Sequence, residues 1–105
     1  VFQAVMVASR PVRAGSDIEL LAAYETPSET QWNAPHIEPN FTPNWVVDIS
    51  DQIETKIEAF QCFESQISEP YGSRSAEAVR AMAIFRGSQS GFPYGEGFHV
   101  IRMRT

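Results

Sequence analysis

Few side chains in this 105-residue sequence have types and spacings suited to chemistry. His36 and His99 lie far apart, and neither belongs to a known metal-ligand arrangement. Cys62 is the single cysteine, so no disulfide and no thiolate metal site can be built within the chain. We therefore expect no metal and no cofactor bound by these residues, and no catalytic group among them. His36 is interpreted as a loop residue, His99 as a half-buried strand residue and Cys62 as a buried helical thiol.

Carboxylates outside strong helical patterns form the remaining chemical class, namely Glu25, Glu29, Glu38 and Glu96. Glu96 lies between two glycines just before an apparent strand, where the backbone can approach a ligand closely. The alternative for Glu96 is a solvated loop carboxylate or helix cap. Arg74 and Arg86 flank a predicted helix, and Arg86 at its end could instead complement the helix dipole.

The composition excludes several classes of function. Thirteen acidic against eight basic residues give a net charge of -5, which repels a phosphate backbone, so nucleic acid is not an expected partner. No apolar run reaches the length of a membrane span, and no basic-then-apolar leader opens the chain. We therefore expect no membrane association and a cytoplasmic location. The gapped glycines near the C-terminus neither follow a strand nor open a helix, which argues against a nucleotide-phosphate cradle.

The first half of the chain predicts a helix, a strand and a long loop. Apolar spacing over Val1–Ser9 indicates the end of a helix that Pro11 prevents from continuing. Ile18–Glu25 is nearly continuous in apolar residues and fits a strand buried on both faces, although its Leu and Ala residues leave a helix open. Prolines and asparagines over Thr26–Pro43 predict a loop, in which Trp32 favours ordered packing over disorder.

The second half predicts a strand, two helices and a closing strand. Asn44–Ser50 is β-branched, and Asp51 with Glu54 resembles a capping box that opens a helix continuing to Ser68. The second helix has Ser73 or Ser75 as its cap and Gly87 at its end, and its expected stripe is Ala78 or Val79, Met82 and Phe85. Phe98–Arg102 alternates like a strand. This order of elements is typical of the α/β class.

Four stretches in order resemble one known family: AYETPSETQW, FTPNWVVDISDQIETKIEAFQCFESQI, SRSAEAVRAMAIFRGSQSG and YGEGFHVIR. Together they are similar to the C-terminal part of the LmbE-like, or PIG-L, deacetylases, and they cover nearly the whole chain. The resemblance implies a zinc-dependent amidase that removes acetyl groups from N-acetylglucosamine-type sugars. It also implies the C-terminal portion of a Rossmann-like three-layer fold, with about three strands and two to three helices.

The family's two histidine- and aspartate-rich zinc motifs are absent from this chain. The resemblance implies that residue 1 follows shortly after the last zinc ligand, so residues 1–105 would be a partial domain that is inactive alone. The central strands of the sheet would then belong to the missing half, and the three strands here would not all be neighbours. By the same resemblance, the Ser88–Gly97 loop returns to the pocket mouth, and Arg74, Arg86, Ser88, Tyr94 and Glu96 are the candidates to contact a sugar.

Two functions remain open at this stage. The first is the C-terminal segment of a sugar N-deacetylase, which would associate with its missing N-terminal half and an N-acetylated sugar. The second is a truncated relative that buries its exposed apolar surfaces by self-association and acts as a structural or binding module. The second function predicts a homo-oligomer.

Overall fold

A computed structural model describes residues 1–30, 34, 37 and 39–105. The predictions for Trp32, His36 and Glu38 fall outside these residues. The described residues form four α-helices: α1 Phe2–Ala8, α2 Pro27–Thr30, α3 Ile53–Gln61 and α4 Ala76–Ser88. They also form three strands, β1 Leu20–Tyr24, β2 Trp45–Asp48 and β3 Gly95–Met103, and 3-10 turns at Arg13–Asp17 and Glu64–Gln66. The predicted α/β class is confirmed.

The three strands make one continuous sheet in the order β1-β3-β2. β3 is antiparallel to both neighbours, with Ala23 opposite His99 and Val46 opposite Gly97. The register of β1 shifts between Leu21 and Ala22, which marks a bulge or irregularity. β1 and β2 are indeed not neighbours, but the strand between them is β3 of this chain rather than a strand from elsewhere.

The core lies where α3 and α4 pack beside the sheet. Its buried apolar residues come from the β2–α3 turn and from the inner faces of both helices: Ile49, Ile53, Ile57, Val79 and Ala83. Val47, Phe60 and Tyr94 pack against this cluster from its margin. A bidentate ion pair, Arg80 Nη1 to Glu54 Oε1 at 2.8 Å and Nη2 to Oε2 at 2.9 Å, joins α4 to α3 at the surface.

Strand β1 differs from the expected strand with two buried faces. Among the described residues it pairs with β3 alone, its central residues are half-buried, and Leu20 and Tyr24 are exposed. A central parallel strand is covered by helices on both faces. A strand at the edge of the described sheet, with half-buried central residues, does not need that cover. The described residues also place the short helix α2 at the start of the segment that was predicted to be a loop throughout.

Helix α3 ends at Gln61 instead of continuing to Ser68. Phe63, the next apolar residue after Phe60, is exposed, so it gives another turn no support from the core. The last turn tightens, because the amides of Cys62 and Phe63 donate to carbonyls three residues back. Cys62 is therefore an exposed C-cap residue rather than a buried helical thiol.

The predicted capping box is also wrong. Gln52 occupies the N-cap position without a side-chain hydrogen bond, and the Glu54 carboxylate binds Arg80. The side chain of Asp48 makes the local turn instead, since its Oδ1 accepts from both the amide and the hydroxyl of Ser50. These hydrogen bonds lower the pKa of Asp48 below its usual value.

At the end of α4, Gly87 is a helical residue and not the expected terminator. The helix continues to Ser88 with Gln89 as its C-cap, and the positive φ of 79° falls on Gly91. A Cβ at position 87 would lie 2.5 Å from the carbonyl oxygen of Phe92 and 2.8 Å from the amide nitrogen of Gly95. Gly87 therefore permits the chain after α4 to turn back against the helix before β3 begins.

Candidate functional site

A cleft of about 330 Å³ lies where the end of β1, the short helix α2, the inner faces of α3 and α4 and the start of β3 meet. Its polar lining includes Glu25, Ser28, Lys56, Ser73, Arg74, Arg86 and Glu96. Its apolar lining includes Pro27, Phe60, Val79, Met82 and Ala83. These residues come from most of the length of the chain, so the cleft is a product of the tertiary fold.

The Glu25 carboxylate and the Arg86 guanidinium form a bidentate ion pair in this cleft. Arg86 Nε donates to Oε2 at 2.9 Å, and Nη2 donates to Oε1 at 2.7 Å. Both side chains are buried, with exposures of 10% for Arg86 and 7% for Glu25. The carboxylate holds the pKa of Arg86 above its usual value despite the opposing effect of burial, so this guanidinium remains a cation.

Three features of the backbone position this pair. Glu25 directly follows β1, and Arg86 lies in the last turn of α4. The guanidinium reaches across β3 at Gly97, where an added Cβ would lie 3.3 Å from Arg86 Cδ. Arg86 Nη1 also donates to Gln89 Oε1 at 3.2 Å. The pair thus connects an outer strand to the main helix over the glycine-containing start of β3.

A second ion pair lies at the side of the cleft. Lys56 Nζ on α3 is 3.0 Å from Glu96 Oε1 on β3, and about a third of each side chain is exposed, 35% in both cases. Water screens such a pair, so it contributes less to stability than a buried pair does. Its side chains are accessible and can exchange their mutual contact for contacts to a ligand.

Arg74 is the third cation of the lining, and because it is exposed we place it at the mouth of the cleft. Its backbone is fixed by Ser68, whose hydroxyl accepts from the Arg74 amide at 3.1 Å and whose amide donates to the Arg74 carbonyl at 2.9 Å. Its Nη1 donates to the neutral Gln66 Oε1 at 2.9 Å. Among the described residues, no carboxylate forms an ion pair with Arg74.

The predicted contact residues divide into two groups. Arg74, Arg86 and Glu96 line the cleft, whereas Ser88 and Tyr94 do not. The Ser88 hydroxyl donates to the Phe85 carbonyl at 2.6 Å on the exposed end of α4. Tyr94 packs beside the core, and its carbonyl accepts from the Ile49 amide at 3.0 Å. Whether the cleft residues contact a sugar remains a prediction.

The position of Glu96 differs from the expected loop. Gly95, Glu96 and Gly97 are the first residues of β3, and both glycines are buried. A Cβ at position 95 would lie 2.7 Å from Val46 Cγ1 and 2.8 Å from Gly87 Cα, so close packing explains this glycine. The backbone around Glu96 is therefore held by strand pairing rather than loosened by its neighbours.

Sequence reasoning missed two charged residues of the cleft, Glu25 and Lys56. Glu25 was recognised only as a loop carboxylate, and nothing in the sequence pairs it with Arg86, 61 positions away. Lys56 carried a weak signal, because it is the only lysine and lies beside the core residue Ile57 on α3. Only the packing of α3 against the sheet shows that the Lys56 side chain reaches Glu96 on β3.

The described residues hold no group of three His, Cys, Asp or Glu side chains that could bind a metal ion. His99 is exposed on β3, and its Nδ1 lies 2.7 Å from the Thr42 carbonyl oxygen, so the prediction of a half-buried residue was wrong. The donor set of the described chain therefore does not fit a zinc centre. None of the helices in these residues has the length and apolar character needed to cross a bilayer.

The cleft presents both cationic and carboxylate side chains. Its described lining includes the hydroxyls of Ser28 and Ser73 but no cysteine, and no histidine that could act as the base for a hydroxyl nucleophile.

Comparison with known proteins identifies a relative that matches part of the chain. No protein-family profile matches the chain. Over 59 residues it is 37% identical to a diacetylchitobiose deacetylase of the archaeon Thermococcus kodakarensis. The matched segment is 56% of this chain but only 22% of that protein, so the chain spans about a fifth of the length of this relative. The chain is thus a distant relative of a deacetylase.

Proposed function

We propose that this chain is the C-terminal segment of a sugar N-deacetylase and forms the substrate-side wall of its pocket. The reaction would be hydrolysis of the amide bond of an N-acetylglucosamine-type substrate. The observation that carries the proposal is the 37% identity over 59 residues to a diacetylchitobiose deacetylase. The cleft supports it, because three of the five predicted contact residues line one concave surface.

In this proposal the chain binds and orients the substrate. Lys56, Arg74 and Glu96 provide hydrogen-bonding groups at the side and mouth of the cleft. The Glu25–Arg86 pair fixes the wall between β1 and α4. A zinc ion, if the complete protein uses one, would take its ligands from outside the described residues, since these lack a suitable donor group. The chain alone is then expected to be inactive.

The test is acetate release from diacetylchitobiose by the complete gene product that contains this chain, compared with residues 1–105 alone. The complete product should release acetate, and the isolated chain should not. The variant Glu96→Gln in the complete product should raise KM more than it lowers kcat, because Glu96 is assigned to binding. A complete product that releases no acetate from any N-acetylated amino sugar would contradict the proposal, as would turnover by the isolated chain.

A self-associating structural or binding module is the second candidate, and one observation favours it. Helix α1 buries none of its residues, and Phe2, Val5 and Val7 are all exposed. Next to these exposed side chains, an apolar groove lies between α1 and the sheet, and its lining includes Ala22 and Ile101. Contiguous exposed apolar surface of this kind is typical of an interaction site.

A further inference from the structure

We propose that the cleft binds an apolar ring or short chain that carries one negative charge, with the charged group beside Arg74. This inference rests on the proposed function, since it assigns the cleft to an acidic aryl or alkyl substituent of the N-acetylated sugar rather than to the sugar ring itself. Neither the identified relative nor the predicted contact residues specify such a ligand.

The size and lining of the cleft define the apolar part of the ligand. A volume of about 330 Å³ lies near the lower end of the range for small-molecule sites, which suits a single ring with a short chain. Half-buried Phe60 on α3 and Met82 on α4 supply carbon surface, whereas Val79 and Ala83, which also line the cleft, are buried in the core. An unsubstituted sugar would leave much of this surface against polar hydroxyls, whereas an aryl or alkyl group would bury it favourably.

The charges around the cleft define the polar end of the ligand. Glu25 and Arg86 neutralise one another, and so do Lys56 and Glu96. Arg74 is the remaining lining cation, and its described hydrogen-bond partner, Gln66, is neutral. The cleft therefore carries an excess of one positive charge at its mouth, and a carboxylate is the complementary group.

The placement of Arg74 strengthens this assignment. Two hydrogen bonds to Ser68 hold its backbone, and the adjacent Ser75 is buried as the N-cap of α4. Its position at the mouth is thus fixed by the fold, while its exposed guanidinium keeps donors available beyond the one bound to Gln66. A ligand seated on the apolar wall can direct its carboxylate to these donors without entering the buried Glu25–Arg86 pair.

The experiment measures binding of 4-phenylbutanoate and its neutral analogue 4-phenylbutanamide to this chain by titration calorimetry, with methyl NMR shifts of Val79 and Met82 to locate the site. We expect the carboxylate to bind about two- to fivefold more tightly than the amide, the range for an exposed ion pair. Arg74→Gln should remove this preference, and Arg74→Lys should retain most of it. Arg104→Gln removes the same charge at an exposed position outside the cleft and should leave the preference unchanged.

The following results would contradict the proposal. Equal affinity for the two probes, or an unaltered preference in Arg74→Gln, would overturn it. The same holds if neither probe binds, or if the chain sediments as a dimer whose contact covers Val79 and Met82. Acetate release by the complete gene product tests the deacetylase function separately. Acetate release without probe binding would refute only this inference, and probe binding without acetate release would refute only the deacetylase assignment.

Discussion

Arg86 and Glu25 form a buried bidentate pair between residues 61 positions apart in sequence, with N–O distances of 2.9 and 2.7 Å. The pair joins the end of β1 to the last turn of α4 and also lines the cleft. Because both side chains are removed from water, each depends on the other to offset its loss of hydration. The same contact therefore determines the local stability and the shape of the proposed binding surface.

Removing one partner of this pair should be strongly destabilising. We expect Glu25→Gln to lower the free energy of unfolding by about 3 kcal/mol or more, because it leaves the buried guanidinium without a counter-charge. The double variant Glu25→Leu, Arg86→Met should lose less than the single variant. Urea denaturation measures both, and Glu29→Gln, the same change at an exposed carboxylate, is the control. Similar losses of unfolding free energy in Glu25→Gln and Glu29→Gln would show that the buried pair has no special role.

Close packing at Gly87 should exclude any side chain. Gly87→Ala would place a Cβ 2.5 Å from the Phe92 carbonyl oxygen, and the backbone would have to shift. We expect a loss of about 1–3 kcal/mol in the free energy of unfolding, as for other overpacked sites. Gly91→Asn is the matched comparison, because position 91 is open and asparagine tolerates its φ of 79°. It should change the free energy of unfolding by no more than about 0.5 kcal/mol. A Gly87→Ala protein as stable as Gly91→Asn would contradict the packing argument.

The start of α4 should depend on one serine. Ser75 Oγ accepts from the Ala78 amide at 3.1 Å and donates to the Gly72 carbonyl at 2.8 Å, and the residue is 1% exposed. Ser75→Ala should cost about 1 kcal/mol, with a range of 0.5–2, in thermal or urea unfolding. Ser73→Ala, at the alternative cap position, should change stability by less than about 0.5 kcal/mol because Ser73 is exposed. The reverse order of effects would place the cap at Ser73.

Local sequence signals predicted some helix ends and strands, whereas the Asp51–Glu54 capping box and the Gly87 terminator were wrong. Ser75 was one of two named caps because a hydroxyl before an apolar helical stripe can satisfy the free amides. Strand β3 followed from alternation over Phe98–Arg102, although it begins earlier, at Gly95. The end of α3 was missed, because an apolar residue such as Phe63 fits a helical stripe whether or not the fold gives it a partner.

The cleft was only partly predictable for a different physical reason. Arg74, Arg86 and Glu96 were selected by resemblance to a family, and they do line one surface. Arg86 pairs with Glu25, and Glu96 pairs with Lys56. Strand order and helix packing bring these partners together. Antiparallel pairing of β1 with β3 brings residue 25 close to residue 86, and no local spacing in the sequence encodes that contact.

Two carboxylates should make stability fall in acid. Hydrogen bonds from Ser50 lower the pKa of Asp48, and the Arg80 pair lowers the pKa of Glu54. A depressed folded-state pKa gives stability that is present above the unfolded-state value and lost as pH falls through the folded-state value. We therefore expect the free energy of unfolding to decline below about pH 4.5. Urea midpoints between pH 3 and 7 measure this, and Asp48→Asn with Glu54→Gln should flatten the profile, whereas an unchanged slope would contradict the assignment.

Exposed apolar surface on α1 predicts concentration-dependent association of the isolated chain. Phe2 projects from a helix that buries no residue, next to the apolar groove formed with the sheet. We expect the weight-average mass in sedimentation equilibrium to rise with concentration, and Phe2→Glu to reduce this rise because a charge opposes burial of the surface. Gln3→Glu adds the same charge at another exposed position of α1 and tests whether charge alone is sufficient. Equal loss of association in both variants would point to general charge repulsion, and a wild-type chain that stays monomeric at every concentration would exclude the self-associating module, leaving the deacetylase segment as the function to pursue.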